Sequence, residues 1–299
     1  MKRASTYITC VILTVFLIFS CILAILSGAV RFRMLNTDAV LPLVTEQQLA
    51  DKVRTTLETE FQAAESTTGI PASVYADAIT ADKLEPMIRS GLSNGFAYLR
   101  GDTAKLEITH DFQALDDSIS AFFEDYASKH GVAKDEAYET AVKNAKANAE
   151  ERILSACDVF RFGMLADAGV LATAKRFIPW AGYAVAAAFG AVILFMLLLF
   201  FSNHREPETA FYWIGTGALV ASVLLLVPAV WLKQTRWFDR FAVKTDHTFA
   251  AVTGYLYSGT GAVITAALGG IAAAVCCYLL FAMFRGLRNR KHSKRRARH

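Results

Sequence analysis

Residues 177–201 read FIPWAGYAVAAAFGAVILFMLLLFF, 25 positions without one charged side chain. A helix rising ~1.5 Å per residue crosses the ~30 Å hydrocarbon core of a bilayer in about 20 residues, so this run is long enough to span a membrane. Working outward, Tyr7 to Val30, Phe211 to Leu232 and Gly259 to Phe284 have the same character. The chain is 54% hydrophobic and only 19% charged, more apolar than a soluble protein of 299 residues, and these four runs hold the excess.

The predicted fold class is therefore mainly α: four transmembrane helices plus a helical-bundle extracytoplasmic domain. Residues 1–30 form the first span, 31–176 the extracytoplasmic domain, 177–284 a three-span bundle and 285–299 a basic cytoplasmic tail. Lys2 and Arg3 before the first run and Ser27-Gly28-Ala29 after it also suit a cleaved signal peptide. The apolar stretch Tyr7 to Leu26 is longer than the ~7–15 residues of a signal core, which favours a retained anchor. A lipoprotein reading at Cys21 is weaker, because Ile22 to Leu26 continues the apolar run.

Orientation follows from basic residues near the span ends, which collect on the cytoplasmic side. Lys2, Arg3, Arg205 and the eight basic residues from Arg285 to Arg298 make eleven on one side. The opposite short loop has four, Lys233, Arg236, Arg240 and Lys244. Both termini are expected in the cytoplasm of a multi-pass cell-membrane protein. Trp180, Tyr183, Tyr212, Trp213, Trp231 and Trp237 fall at the expected headgroup levels.

Residues 31–176 carry 16 Lys and Arg against 23 Asp and Glu, a poor surface for nucleic acid, and none is expected as a partner. Their apolar residues repeat with helical spacing. Thr45 and Gln48 have capping-box spacing ahead of Leu49, Val53, Leu57 and Phe61; Leu84, Ile88, Leu92, Phe96 and Leu99 follow, with Pro86 tolerable in a first turn. A third stripe is Leu115, Ile119, Phe122 and Tyr126. The fourth runs from Tyr138 to Phe160, toward the second span. Leu106 to His110 alternates as a short strand would, without a visible partner strand.

Chemistry is harder to find. No Gly-x-Ser-x-Gly, His-Glu-x-x-His or phosphate-binding glycine loop occurs, and the six histidines are scattered, so no enzyme activity, cofactor or metal is expected. Gly101-Asp102-Thr103 reads as a helix stop, although it could also be a functional loop. Of the five cysteines only Cys157 falls outside the spans, where burial is the plain reading and pairing with another chain the sharper one. The last three spans hold no Asp, Glu, Lys or Arg, which argues against a proton-coupled pump.

Small residues recur at four-residue spacing: Gly182, Ala186 and Gly190, then Ala262, Ala266, Gly270 and Ala274. Such faces let helices approach closely, within one chain or between chains as a homo-oligomer. The tail basic residues Arg285, Arg288, Arg290, Lys291, Lys294, Arg295, Arg296 and Arg298 are expected against anionic lipid headgroups, or simply to fix topology.

The stretch Tyr98 to Ile108, continuing to Asp111 and Leu115, resembles a pattern in uncharacterised bacterial membrane proteins that enclose a helical outer domain between their first and later spans. That resemblance implies a bacterial envelope location and brings no established activity to carry over. The order of spans is also similar to FtsX-type and MacB-type permease subunits, which implies, as an alternative, a transporter subunit whose loop Ser202 to Thr209 meets a separate cytoplasmic ATPase. The favoured expectation is a non-enzymatic envelope sensor, scaffold or partner-binding protein.

Overall fold

The computed structural model describes the backbone of residues 2–296 and the side chains of residues 7–288. In chain order the helices are α1 (Lys2–Ala29), α2 (Thr37–Val40), α3 (Pro42–Glu46), α4 (Leu49–Thr68), α5 (Ala81–Arg100), α6 (Gln113–His130), α7 (Glu136–Cys157), α8 (Phe162–Asp167), α9 (Val170–Ser202), α10 (Glu208–Gln234) and α11 (Asp246–Arg296). A π-helical segment, Val30–Met34, continues α1. The fold is mainly α, with no strand among the described residues. Four helices, α1, α9, α10 and α11, are long and apolar enough to cross a membrane.

The chain divides into two compact units. One gathers Met1–Met34, Pro179–Arg240 and Tyr257–His299; the other joins Leu35–Ile178 to Phe241–Leu256. The second unit thus draws on a segment far outside residues 31–176. α11, at 51 residues, is far longer than one crossing needs, and even its charge-free run, 247–284, exceeds the length of a single span. Its opening turns, up to Leu256, belong to the other unit.

In the membrane-type unit, Cys10, Leu17, Leu199 and Ile214 bury a seam between α1, α9 and α10. Glycine allows the closest approaches. A Cβ on Gly217 would come within 2.9 Å of Leu17, and one on Gly215 within 3.2 Å of the Ala274 carbonyl of α11. Gly270 faces Ser222 just as closely, and Ala274 is fully buried. The matching stripe on α9 behaves otherwise: Gly182, Ala186 and Gly190 are exposed, and nothing lies within 4 Å of a Cβ on either glycine. Hydroxyls within α1 bond their own helix, Thr14 donating to the Cys10 carbonyl at 2.8 Å and Ser20 to that of Phe16 at 2.8 Å.

The second unit is a helical bundle around one core. Leu49, Val53, Leu57 and Phe61 of α4 and Leu84, Ile88, Leu92, Phe96 and Leu99 of α5 are all buried in it, with Leu115, Ile119 and Ile153 from α6 and α7. Ala250 and Ala251 of α11 enter the same core, and the Tyr255 ring packs on Phe96 and Phe160.

Local details depart from the sequence expectations for clear reasons. The capping box at Thr45 and Gln48 does not form. Gln48 adopts a left-handed conformation at the start of α4, while Thr45 lies inside α3 and accepts a bond from Arg89 at 2.8 Å. Pro86 sits in the second turn of α5, beyond the first-turn position expected for it. α7 stops at Cys157 rather than running on. There the Asp158 carboxylate turns the chain by accepting the backbone N–H groups of Phe162 and Gly163, both at 2.8 Å.

Candidate functional site

Leu106 to His110 has no strand partner among the described residues, and side chains of α5 take up two of its backbone groups. Asn94 of α5 donates to the Glu107 carbonyl at 2.5 Å, and the Thr109 N–H donates to Ser90 at 2.9 Å. The segment is thereby pinned along α5 as an extended strip. Beneath it α5 offers glycine: Ile108 lies 3.3 Å from where a Gly91 Cβ would be, and the Phe162 ring fills the space over Gly95. One turn of helix separates the two glycines, so one face of α5 is flattened enough to receive both groups.

Between this strip and the α7–α8 corner runs a groove of about 1010 Å³. Leu106, Ile108, Leu154, Phe162 and Met164 make it apolar, and Met164 is 63% exposed. Glu107, Glu150, Glu151, Asp158 and Asp167 stand around it against Arg161, an acidic balance. Such a groove suits an apolar chain carrying positive charge.

A second, smaller cavity of about 360 Å³ shares Glu151, Ser155 and Arg161 with the groove and adds Glu60, Asn148, Arg152 and His247. His247, in the first turn of α11, is 1% exposed. Its Nδ1 lies 3.2 Å from the Thr56 hydroxyl, whose own hydrogen goes to the Lys52 carbonyl at 2.9 Å. Thr56 can therefore only accept, and Nδ1 carries the proton. Burial, reinforced by Arg161 and opposed by Asp246, pulls the His247 pKa down to about 4, so the ring is neutral and Nε2 presents a lone pair. That atom is buried without a partner, as are Asp116 Oδ1 and Thr248 Oγ1. Sequence gives no sign of this, since His247 stands 191 residues from Thr56.

Other residues considered from the sequence serve local roles. His110 Nδ1 lies 2.7 Å from the Ile108 carbonyl, Asp111 caps the Gln113 N–H and Asp102 pairs with Arg100 at 2.8 Å. Cys157 is buried, and burial followed by Asp158 pushes its thiol up to about 12. Gly101 is the left-handed stop of α5. No cluster of three or more His, Cys, Asp or Glu suited to a metal occurs among the described residues.

The tail residues divide. Arg288 pairs with Glu208 and, at 3.1 Å, with Glu206, which holds it against the α9–α10 loop. Those carboxylates raise its pKa further. Arg285 lies over the Phe281 ring, 5.6 Å from its centre. Arg290, Lys291, Lys294, Arg295 and Arg296 continue α11 in backbone only, and their side chains, like all of Arg298, lie outside the described residues. No family model, curated protein or solved structure matches the chain.

Proposed function

We propose that this chain is a non-enzymatic sensing or partner-binding protein of the cell envelope, with both termini in the cytoplasm and the helical unit outside. The observation that carries this reading is the acid-rimmed apolar groove of about 1010 Å³ between Leu106–His110 and the α7–α8 corner. Its charge and lining favour a partner segment that combines apolar side chains with Lys or Arg. Basic asymmetry of the span flanks supports the orientation.

The test uses the full chain captured from intact membranes, beside a Met164→Trp variant that fills the groove from an exposed position. A partner that binds the parent, is lost from the variant and is released by rising salt is the expected result. Identical partners on parent and variant would overturn the assignment to the groove.

A further inference from the structure

The strip from Leu106 to His110 has two edges, and only one of them is occupied. The Glu107 carbonyl accepts from Asn94 at 2.5 Å and the Thr109 N–H donates to Ser90 at 2.9 Å, both side chains of α5. In an extended chain the N–H and C=O groups of alternate residues point the same way, so residues 107 and 109 direct theirs to this α5 edge and residues 106, 108 and 110 direct theirs to the other. On that second edge the N–H and C=O groups of Leu106 and His110 and the Ile108 N–H have no hydrogen-bond partner among the described residues. The Ile108 carbonyl meets the His110 imidazole at 2.7 Å and keeps a second lone pair.

Ser90 and Asn94 lie in one row of α5 and Gly91 and Gly95 in the next, which Ile108 and the Phe162 ring cover. The Cys157 carbonyl, at the end of α7, comes within 3.8 Å of where a Gly91 Cβ would be. The unoccupied edge therefore looks across the α5 glycines toward α7 and α8, where the groove of about 1010 Å³ opens.

We propose that the groove takes an extended peptide segment of alternating apolar and basic residues, which adds as a strand to the free edge of Leu106–His110. This rests on the groove assignment above and names how the partner is held. A helix or an acyl chain would cover the apolar floor but bring no backbone donors or acceptors to the edge, whose polar groups would lose water without replacement. A strand supplies both. Five paired residues run about 16 Å. One alternate set of the partner's side chains falls on the face shared by the half-buried Leu106 and Ile108, over Gly91, Gly95 and Phe162, and is apolar. The other set shares the outward face of the exposed Glu107, where Lys or Arg meets an acid across the pair. Glu150, Glu151 and Asp167 on the facing wall extend that preference.

Fluorescence anisotropy of the detergent-solubilised full chain with a labelled, end-blocked heptapeptide of alternating valine and lysine tests it. The peptide should bind saturably. Glu107→Lys and Met164→Trp, both at exposed positions, should each weaken binding while melting as the parent does. Two further peptides carry methyl groups on the backbone nitrogens of the valines alone or of the lysines alone. Only one of these sets faces the edge, so their affinities should differ by roughly tenfold to a hundredfold, the scale of two or three lost hydrogen bonds. Absence of saturable binding overturns the inference, as does unchanged affinity in Glu107→Lys. Equal affinities of the two methylated peptides, with binding lost in Met164→Trp, remove the strand and leave the groove assignment standing. Binding that Met164→Trp leaves intact removes the groove as well.

Discussion

At the scale of single residues, two positions are under the heaviest physical constraint. Gly95 has no room for a methyl group because the Phe162 ring occupies its Cβ position. Gly95→Ala should lower stability by about 1–3 kcal/mol through overpacking, measurable by denaturant unfolding of the purified chain. His247 is constrained by charge instead: burial first, then Arg161, hold its pKa at about 4 against an ordinary 6.5, with Asp246 opposing and Glu60, Glu151 and Arg152 on the same cavity. Because the unfolded chain binds the proton more readily, the neutral ring's contribution is complete above about pH 6.5 and is lost as pH falls toward about 4. The loss should be on the order of 3 kcal/mol, and His247→Gln should flatten that part of the pH–melting profile.

At the scale of elements, glycine position separates helix faces that are packed from those that are not. Gly217→Ala would press on Leu17 and should loosen the seam between α1 and α10, lowering the melting temperature in detergent. Gly190→Ala meets nothing within 4 Å and should leave it unchanged. Equal effects of the two changes would contradict the packing described. The stripes of α4 and α5 are legible in the sequence because every three- or four-residue repeat there ends buried, and burial of apolar surface drives the assembly. The apparent strand at Leu106 to His110 misleads because alternation also arises where one side of an extended segment lies on a helix and the other faces out. Neither Arg288 nor His247 advertises its partners: Glu206 and Glu208 reach Arg288 across about 80 residues, and His247 is brought to the cavity only by tertiary folding.

At the scale of the whole molecule, the proposed orientation rests on the charge distribution. The chain has a formal net charge of +4, yet residues 31–176 hold more acids than bases, so the positive excess lies in the flanks and tail. A cysteine introduced at the exposed Lys129 should react with a membrane-impermeant maleimide in intact cells, whereas one at Arg205 should react only after permeabilisation. The reverse pattern would invert the topology. The four spans are legible from hydropathy alone because lipid imposes a length and a composition on each. That the helical unit borrows Phe241–Leu256 is not legible, since Ala250 and Ala251 become core residues only when a distant bundle closes on them.

That borrowed segment also sets a clock. A ribosome finishes Ile178 long before it reaches Phe241, and α9 and α10 must be synthesised in between. Until then the helical unit lacks Ala250, Ala251, the Tyr255 ring and the imidazole wall of its polar cavity. The helical unit is therefore completed only after the second and third spans, so an interrupted or truncated chain exposes an unfinished core, the form that quality-control proteases recognise.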